Sequence, residues 1–462
     1  MTEIIHLKVF FKIHAPKILL FTFLAIFLAT SGFLSVNLQT GIIPDEPAHF
    51  TFSKHFASTW GIPPDTYETY SWGWYIEQNP FLYYWVNGRI INTLQLLKPS
   101  ANDWETLVTL RLANVIFALG SFLFCFLLSR ELIHDPWWQL LPIFLLTNTL
   151  MFVFLASGVN YDNLANLLSM AGLYFFVRVF TRQDFLINSL VWMIFIGLGT
   201  LVKYTILPLA LAMSLSWLVY TILQKSKVFP LCIWNVKFIV LAFILLCLIV
   251  SNFALYGINL IRHQSLKPPC REILLEAQCK ISPYEKRDQR IANHPKMTIE
   301  ESIQQGYPSP IKYAFVDWVK NMLLRSFGMI GHKSYFPLQM ITLYQILFYG
   351  MLGLGIFNFI YRRRISFASA SLLWVAAFYA LVLLIQNYNS ELVYNFTHIA
   401  FQGRYIFPVI GAIYVLFTKV LRNTPFWILR IFFLIATICV YLASGPVIIL
   451  QGYHSFLLDW FY

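Results

Sequence analysis

Apolar residues in this chain come in long blocks, not at alternating intervals. Blocks of roughly 18 or more residues run near positions 18–38, 107–128, 137–157, 162–180, 186–202, 204–223, 238–260, 338–360, 366–386, 405–421 and 426–450. That length matches the hydrocarbon thickness of a bilayer. The pattern therefore predicts an all-α polytopic membrane protein with about eleven transmembrane helices. Trp and Tyr crowd the block ends, as interfacial belts do. The first block, Lys17–Leu38, has too long an apolar core for a signal peptide, and no A-x-A-like cleavage site follows; it predicts a retained span. Residues 1–462 read as a single transmembrane domain, from which two long loops project, 39–105 and 262–337. Each loop carries an amphipathic piece, FLYYWVNGRIINTLQLL and IKYAFVDWVKNMLLRSF, predicted to lie flat in the interface.

Composition agrees. Of 462 residues, 58% are hydrophobic and 12% charged, with mean hydropathy +0.64, against about 25% charged in soluble domains. The net charge of +12 raises the question of nucleic acid, and its distribution answers it. The N-terminal segment and the loops on its side of the bilayer hold 15 Lys/Arg and 4 Asp/Glu, the opposite side 18 and 17. Basic residues in short loops set orientation, so the N-terminus is expected in the cytoplasm and no nucleic acid is implied. Cys125, Cys232, Cys247 and Cys439 lie in or beside spans. Cys270 and Cys279 share the second non-cytoplasmic loop, where an oxidising compartment favours a disulfide, and no second pair completes a zinc site.

Five motifs remain after the spans are set aside. PDEPAHF places Asp45 at a helix N-cap, with Glu46 at the first helical position and His49 one turn on. Such a cluster suits a capped interfacial helix, a general base or a hard-cation site. QNPFLYYW closes the same loop with Gln78, Asn79 and Tyr83, as belt residues or as a wall for a sugar or lipid. SGVNYDNL brings Asn160 and Asp162 to a short turn, where Asp162 either caps the next span or joins a site. LVKYT sets Lys203 between two apolar runs, snorkelling or functional. HIAFQGRYIFP puts Arg404 and Tyr405 at the start of a span, as an interfacial anchor or a phosphate fork.

Together these motifs resemble the GT-C superfamily of membrane glycosyltransferases, which take sugars from polyprenyl-phosphate carriers outside the cytoplasm. The likeness covers nearly the whole chain. It looks most like a bacterial PDEPAHF-bearing family and is more remotely similar to aminoarabinose transferases and protein O-mannosyltransferases. The resemblance implies a GT-C-like fold in a bacterial inner membrane with a periplasmic site. It implies inverting transfer from a polyprenyl-phosphate sugar to a glycan, lipid or protein acceptor. Asp45 would be the base, with Glu46 and Asp162 as further catalytic acids. His49, Gln78, Asn79, Tyr83, Asn160, Lys203, Arg404 and Tyr405 would contact substrate. Aminoarabinose transferases often carry Lys-Pro-Pro where this chain has Gln78-Asn79-Pro80, which moves the expected phosphate contacts to Lys203 and Arg404. A divalent metal, Mg or Mn, on Asp45, Glu46, His49 and Asp162, and no metal at all, both stay open. A transporter or flippase would show mid-membrane ionisable residues and internal repeats. An O-antigen polymerase or ligase would show basic, histidine-rich outer loops.

Overall fold

In the computed structural model the apolar blocks become helices, some of which begin at polar caps such as Asn102, Asn160, Asn235 and Ser366. The structure describes residues 14–462 apart from 73–75, 77–78, 183, 224–234, 283–284, 286–295, 331–333, 336–338, 363–364, 399–400 and 453–456. Helix α1 spans Ala15–Asn37, α2 Glu46–Ala57, α3 Leu82–Leu97 and α4 Asp103–Leu132. Then come α5 (Leu141–Thr147), α6 (Leu150–Ala156), α7 (Tyr161–Thr181), α8 (Phe185–Val202), α9 (Leu207–Leu223) and α10 (Val236–Asn252). The remaining long elements are α11 (Val319–Phe327), α12 (Met340–Arg362), α13 (Phe367–Val393), α14 (Ile410–Asn423), α15 (Trp427–Ala443) and α16 (Pro446–Gly452). Helix α4 shows why the starts fall where they do. Asn102 Oδ1 accepts from Glu105 N at 2.9 Å, and Glu105 Oε2 returns the bond to Asn102 N at 3.1 Å, satisfying two amides that the first turn leaves orphaned.

Among the described residues nine helices are long and apolar enough to cross a bilayer, and two bent pairs raise the number to eleven. The protein is thus a multi-pass integral membrane protein. Its outer surface is as apolar as its core: Phe21 and Ile116 face outward at 69% and 65% exposure, while Phe27 and Phe122 of the same helices are buried. The block read as one span at 137–157 is bent by 69° between α5 and α6. Asn148 and Thr149 cause the break. Their side chains donate to Phe144 O and Leu145 O at 2.8 Å, competing with the helical ladder, and Thr149 takes an extended ψ of 100°.

The first loop corrects a second expectation. Helix α3 does not present its aromatic face to the interface. Tyr83, Tyr84, Asn87, Gly88 and Ile91 are buried, packed against α2, with Gly88 so close that a Cβ would meet Phe56 C at 2.8 Å. Only the far end, Leu96 and Leu97, stands exposed at 84% and 81%. The second loop lies over the end of α13. Met297 N donates to Leu392 O at 3.1 Å, Trp318 Nε1 to Asn387 Oδ1 at 3.0 Å, and Tyr307 stacks on Phe396 at 4.4 Å. Cys270 and Cys279 form a disulfide with Cα atoms 5.8 Å apart. Residues 460–462 return to the start of the first loop: Leu38 bridges Phe461, Gln39 N donates to Trp460 O at 2.8 Å, and Tyr462 N to Asn37 O at 3.0 Å.

Candidate active site

Four charged side chains from four separate elements meet at one end of the spans. Asp45 comes from the PDEP turn, Asp162 from the first turn of α7, Lys203 from the extended break after α8, and Arg404 from the 3₁₀ segment Gly403–Val409. Arg404 Nη2 donates to Asp45 Oδ2, and its Nε lies 3.4 Å from Asp162 Oδ2. Lys203 Nζ donates to Asp162 Oδ1. Arg404, Asp162 and Lys203 are buried, whereas the Asp45 side chain is 36% exposed. Two carboxylates thus balance two cations, as burial of charge requires. Lys203 Nζ also lies 4.7 Å from the ring centres of both Tyr161 and Tyr405, within cation–π range.

Local backbone geometry directs these groups. Asp45 stands at the N-cap position of α2 but caps nothing: its φ is +62° and its carboxylate accepts no first-turn amide. A left-handed backbone is uncommon outside glycine, though tolerated by Asp, and here it accompanies a carboxylate turned to Arg404. Asp162 is not a cap either. Asn160 caps α7, accepting from Asp162 N at 2.9 Å, while Asn160 Nδ2 donates to Pro44 O at 3.0 Å. Asn160 therefore ties the Asp45 turn to the Asp162 turn.

Of the other expected residues, Glu46 is drawn into a separate pair, whereas His49 lies one ring, Tyr161, away from Lys203. Glu46 is buried and paired with Arg111 of α4 at 2.8 and 2.6 Å, and it also accepts from Val159 N at 3.1 Å. Arg111, fully buried, donates further to Ser35 O at 3.1 Å and Leu38 O at 2.7 Å. This residue escaped the motif reading, although an arginine inside an apolar block is itself a signal. Glu46 is thus engaged by Arg111, and Asp45 by Arg404. Among the described residues no group of three or more His, Cys, Asp or Glu is arranged to hold a metal. The three acids and one histidine considered as ligands do not fit a cation, because Glu46 is engaged by Arg111, and Asp45 and Asp162 by Arg404 and Lys203.

His49 is buried between rings. Its Nδ1 lies 2.8 Å from Tyr84 Oη, and Tyr161 meets it edge-on at 4.6 Å. Burial pushes its imidazole down to about 4, against the opposing pull of the Asp45 charge. Tyr83 is fully buried, and burial raises its phenol well above the usual value. It donates to Asn114 Oδ1 at 3.1 Å. Asn79 is buried; Gln78 lies outside the described residues. A groove of about 390 Å³ beside Trp85, Arg89 and Leu94 contains none of the charged cluster.

Residues 103–252 match the model of the dolichyl-phosphate-mannose-protein mannosyltransferase family. No curated protein matches the sequence. Among solved structures, the oligosaccharyltransferase AglB from Archaeoglobus fulgidus, in complex with an inhibitory peptide and a dolichol-phosphate, is 14% identical with a TM-score of 0.52. The match covers 94% of this chain and 56% of AglB. ArnT from Cupriavidus metallidurans in the apo state is 15% identical with a TM-score of 0.46, over 88% of this chain and 60% of ArnT. ArnT bound to undecaprenyl phosphate is 16% identical with a TM-score of 0.45, over 87% and 59%. The chain thus spans less than two thirds of these proteins. It has the GT-C fold, as the motifs led one to expect.

Proposed function

We propose that this chain is a GT-C-type glycosyltransferase that moves a sugar from a polyprenyl-phosphate donor to a hydroxyl of a glycan, lipid or protein acceptor, with inversion. The observation that carries the reading is the direct contact of Arg404 with Asp45. In this reading a phosphate-binding cation and a proton-accepting carboxylate share one reaction volume. Arg404 Nε and Nη1 are buried without a hydrogen-bond partner, and buried polar groups of that kind call for a ligand or water. Phosphate oxygens suit them, since a guanidinium binds such oxygens in pairs. The dolichol-phosphate complex of AglB, which shares the fold, supports the same donor class.

The chemistry follows from the charges. Asp45 takes the proton of the acceptor hydroxyl as its oxygen attacks the anomeric carbon. The bond from that carbon to the phosphate oxygen breaks, and its electron pair leaves on the polyprenyl phosphate. Arg404 and Lys203 stabilise that charge as it grows. The 15-to-4 excess of basic over acidic residues in the N-terminal segment and its same-side loops supports a cytoplasmic N-terminus, with the site on the opposite face. Incubating purified protein with a panel of radiolabelled polyprenyl-phosphate sugars tests the reading. Release of labelled sugar to acceptor or water is expected from at least one donor, and no turnover of any would sink it.

A further inference from the structure

Arg404 is the second residue of the Gly403–Val409 segment, so the path of that backbone decides where the guanidinium points. Two contacts clamp it. On one side Gly403 abuts α11: a Cβ there would stand 2.6 Å from Arg325 C, 2.7 Å from Ser326 N and 2.8 Å from Arg325 O. These are main-chain atoms of a helix, so no change of side-chain rotamer relieves the overlap. On the other side Tyr379 of α13 donates its hydroxyl to Tyr405 O at 3.0 Å. Helix α11 is itself anchored, because Phe327 stacks on Tyr344 at 4.1 Å and meets Tyr441 edge-on at 5.3 Å.

We propose that Gly403 and Tyr379 are positioning residues that aim Arg404 at Asp45 and at the donor phosphate. The second loop, through α11, is then part of the active-site framework. The inference rests on the phosphate role given to Arg404 above. A purely packing role for Gly403 predicts lost stability alone, whereas aiming predicts a loss that disappears once Arg404 is gone.

Undecaprenyl phosphate is the probe, and its binding to full-length purified protein is measured for six variants. These are Gly403→Ala, Tyr379→Phe, Arg404→Ala, the two doubles with Arg404→Ala, and Gly353→Ala as control, since a methyl there meets nothing within 4 Å. Relieving the overlap at Gly403 takes a shift of about 1 Å, a displacement that costs about 10²-fold in rate. Affinity should fall about tenfold, the size of one charge-assisted hydrogen bond, and Gly353→Ala should bind as wild type. Adding Gly403→Ala to Arg404→Ala should cost nothing further. Wild-type affinity in Gly403→Ala, or losses that multiply in the double, would overturn the proposal. If Gly403→Ala does not fold, Tyr379→Phe decides by the same criteria, because it keeps the ring and removes only the hydroxyl. If wild type and Arg404→Ala bind equally, the phosphate reading fails instead. Aiming is then judged from a structure of Gly403→Ala, and an intact Arg404–Asp45 contact there would overturn it.

Discussion

Arg404 and Asp45 stand 359 positions apart in the chain and share a direct ion pair. Each has a second relationship that fixes it: Arg404 also faces Asp162, and Asp45 hangs from a turn tied to Asn160. The pair is therefore a product of the whole helical arrangement and not of either local motif.

Replacing Asp45 with Asn separates catalysis from structure. The structure has no capping bond for Asn to imitate, so any loss of activity cannot come from the helix start. Sugar transfer should fall about 10²-fold or more, while thermal stability drops only partway, because the Asn oxygen still accepts from Arg404 and this side of the pair is open to solvent. An Asp45→Asn protein with wild-type turnover would remove the base assignment.

Glu46 and Arg111 should behave as a structural pair. Removing one partner strands a buried charge, at a cost of about 3–5 kcal/mol. Arg111→Ala should lower the unfolding temperature sharply, and Glu46→Gln should do so less, because the amide still accepts one bond. A cycle including the double variant should show strong coupling, and additive effects would refute it.

The acid side of the stability profile should carry the mark of His49. Its folded value of about 4 lies below the ordinary imidazole 6.5, so folding disfavours the proton. That contribution is fully present above pH 6.5 and shrinks as pH falls toward 4, by about 3 kcal/mol. Denaturant unfolding at pH 7 and pH 5 should show the decline, and His49→Gln should flatten it. Equal acid slopes in the two proteins would count against a buried neutral imidazole.

Chelation gives a further check. Because the acids near the site already face Arg111, Arg404 and Lys203, EDTA should leave transfer unchanged. Loss of activity restored by Mg or Mn would mean that these pairs open to admit a cation.

Orientation can be read from the disulfide. Cys270 and Cys279 should resist an impermeant maleimide in intact cells until mild reduction, and then react. Reaction only after permeabilisation would reverse the topology.

The spans were legible because lipid demands long apolar blocks, and Asp45, Asp162, Lys203 and Arg404 stood out as charge at the ends of those blocks. What sequence reasoning missed has one physical cause: partners depend on tertiary placement. Nothing local says that Glu46 turns to Arg111 while its neighbour Asp45 turns to Arg404. Asp45 does stand at the N-cap position that propensity suggested, but its left-handed backbone accompanies a carboxylate that caps no first-turn amide. Likewise α3 has the pattern of an interfacial helix, but Gly88 lets its aromatic face sit on α2. The bend after Thr147 was hidden because Asn148 and Thr149 barely interrupt the hydropathy of their block.

Gln39, at the head of the turns leading to Asp45, takes its brace from residues as far as 422 positions along the chain. A ribosome inserting this protein delivers the turn that carries Asp45 early and the pairing segment at 460–462 far later. Until translation has passed that point the turn lacks its final backbone bonds. A nascent chain already in the bilayer thus holds this turn before its distant brace exists.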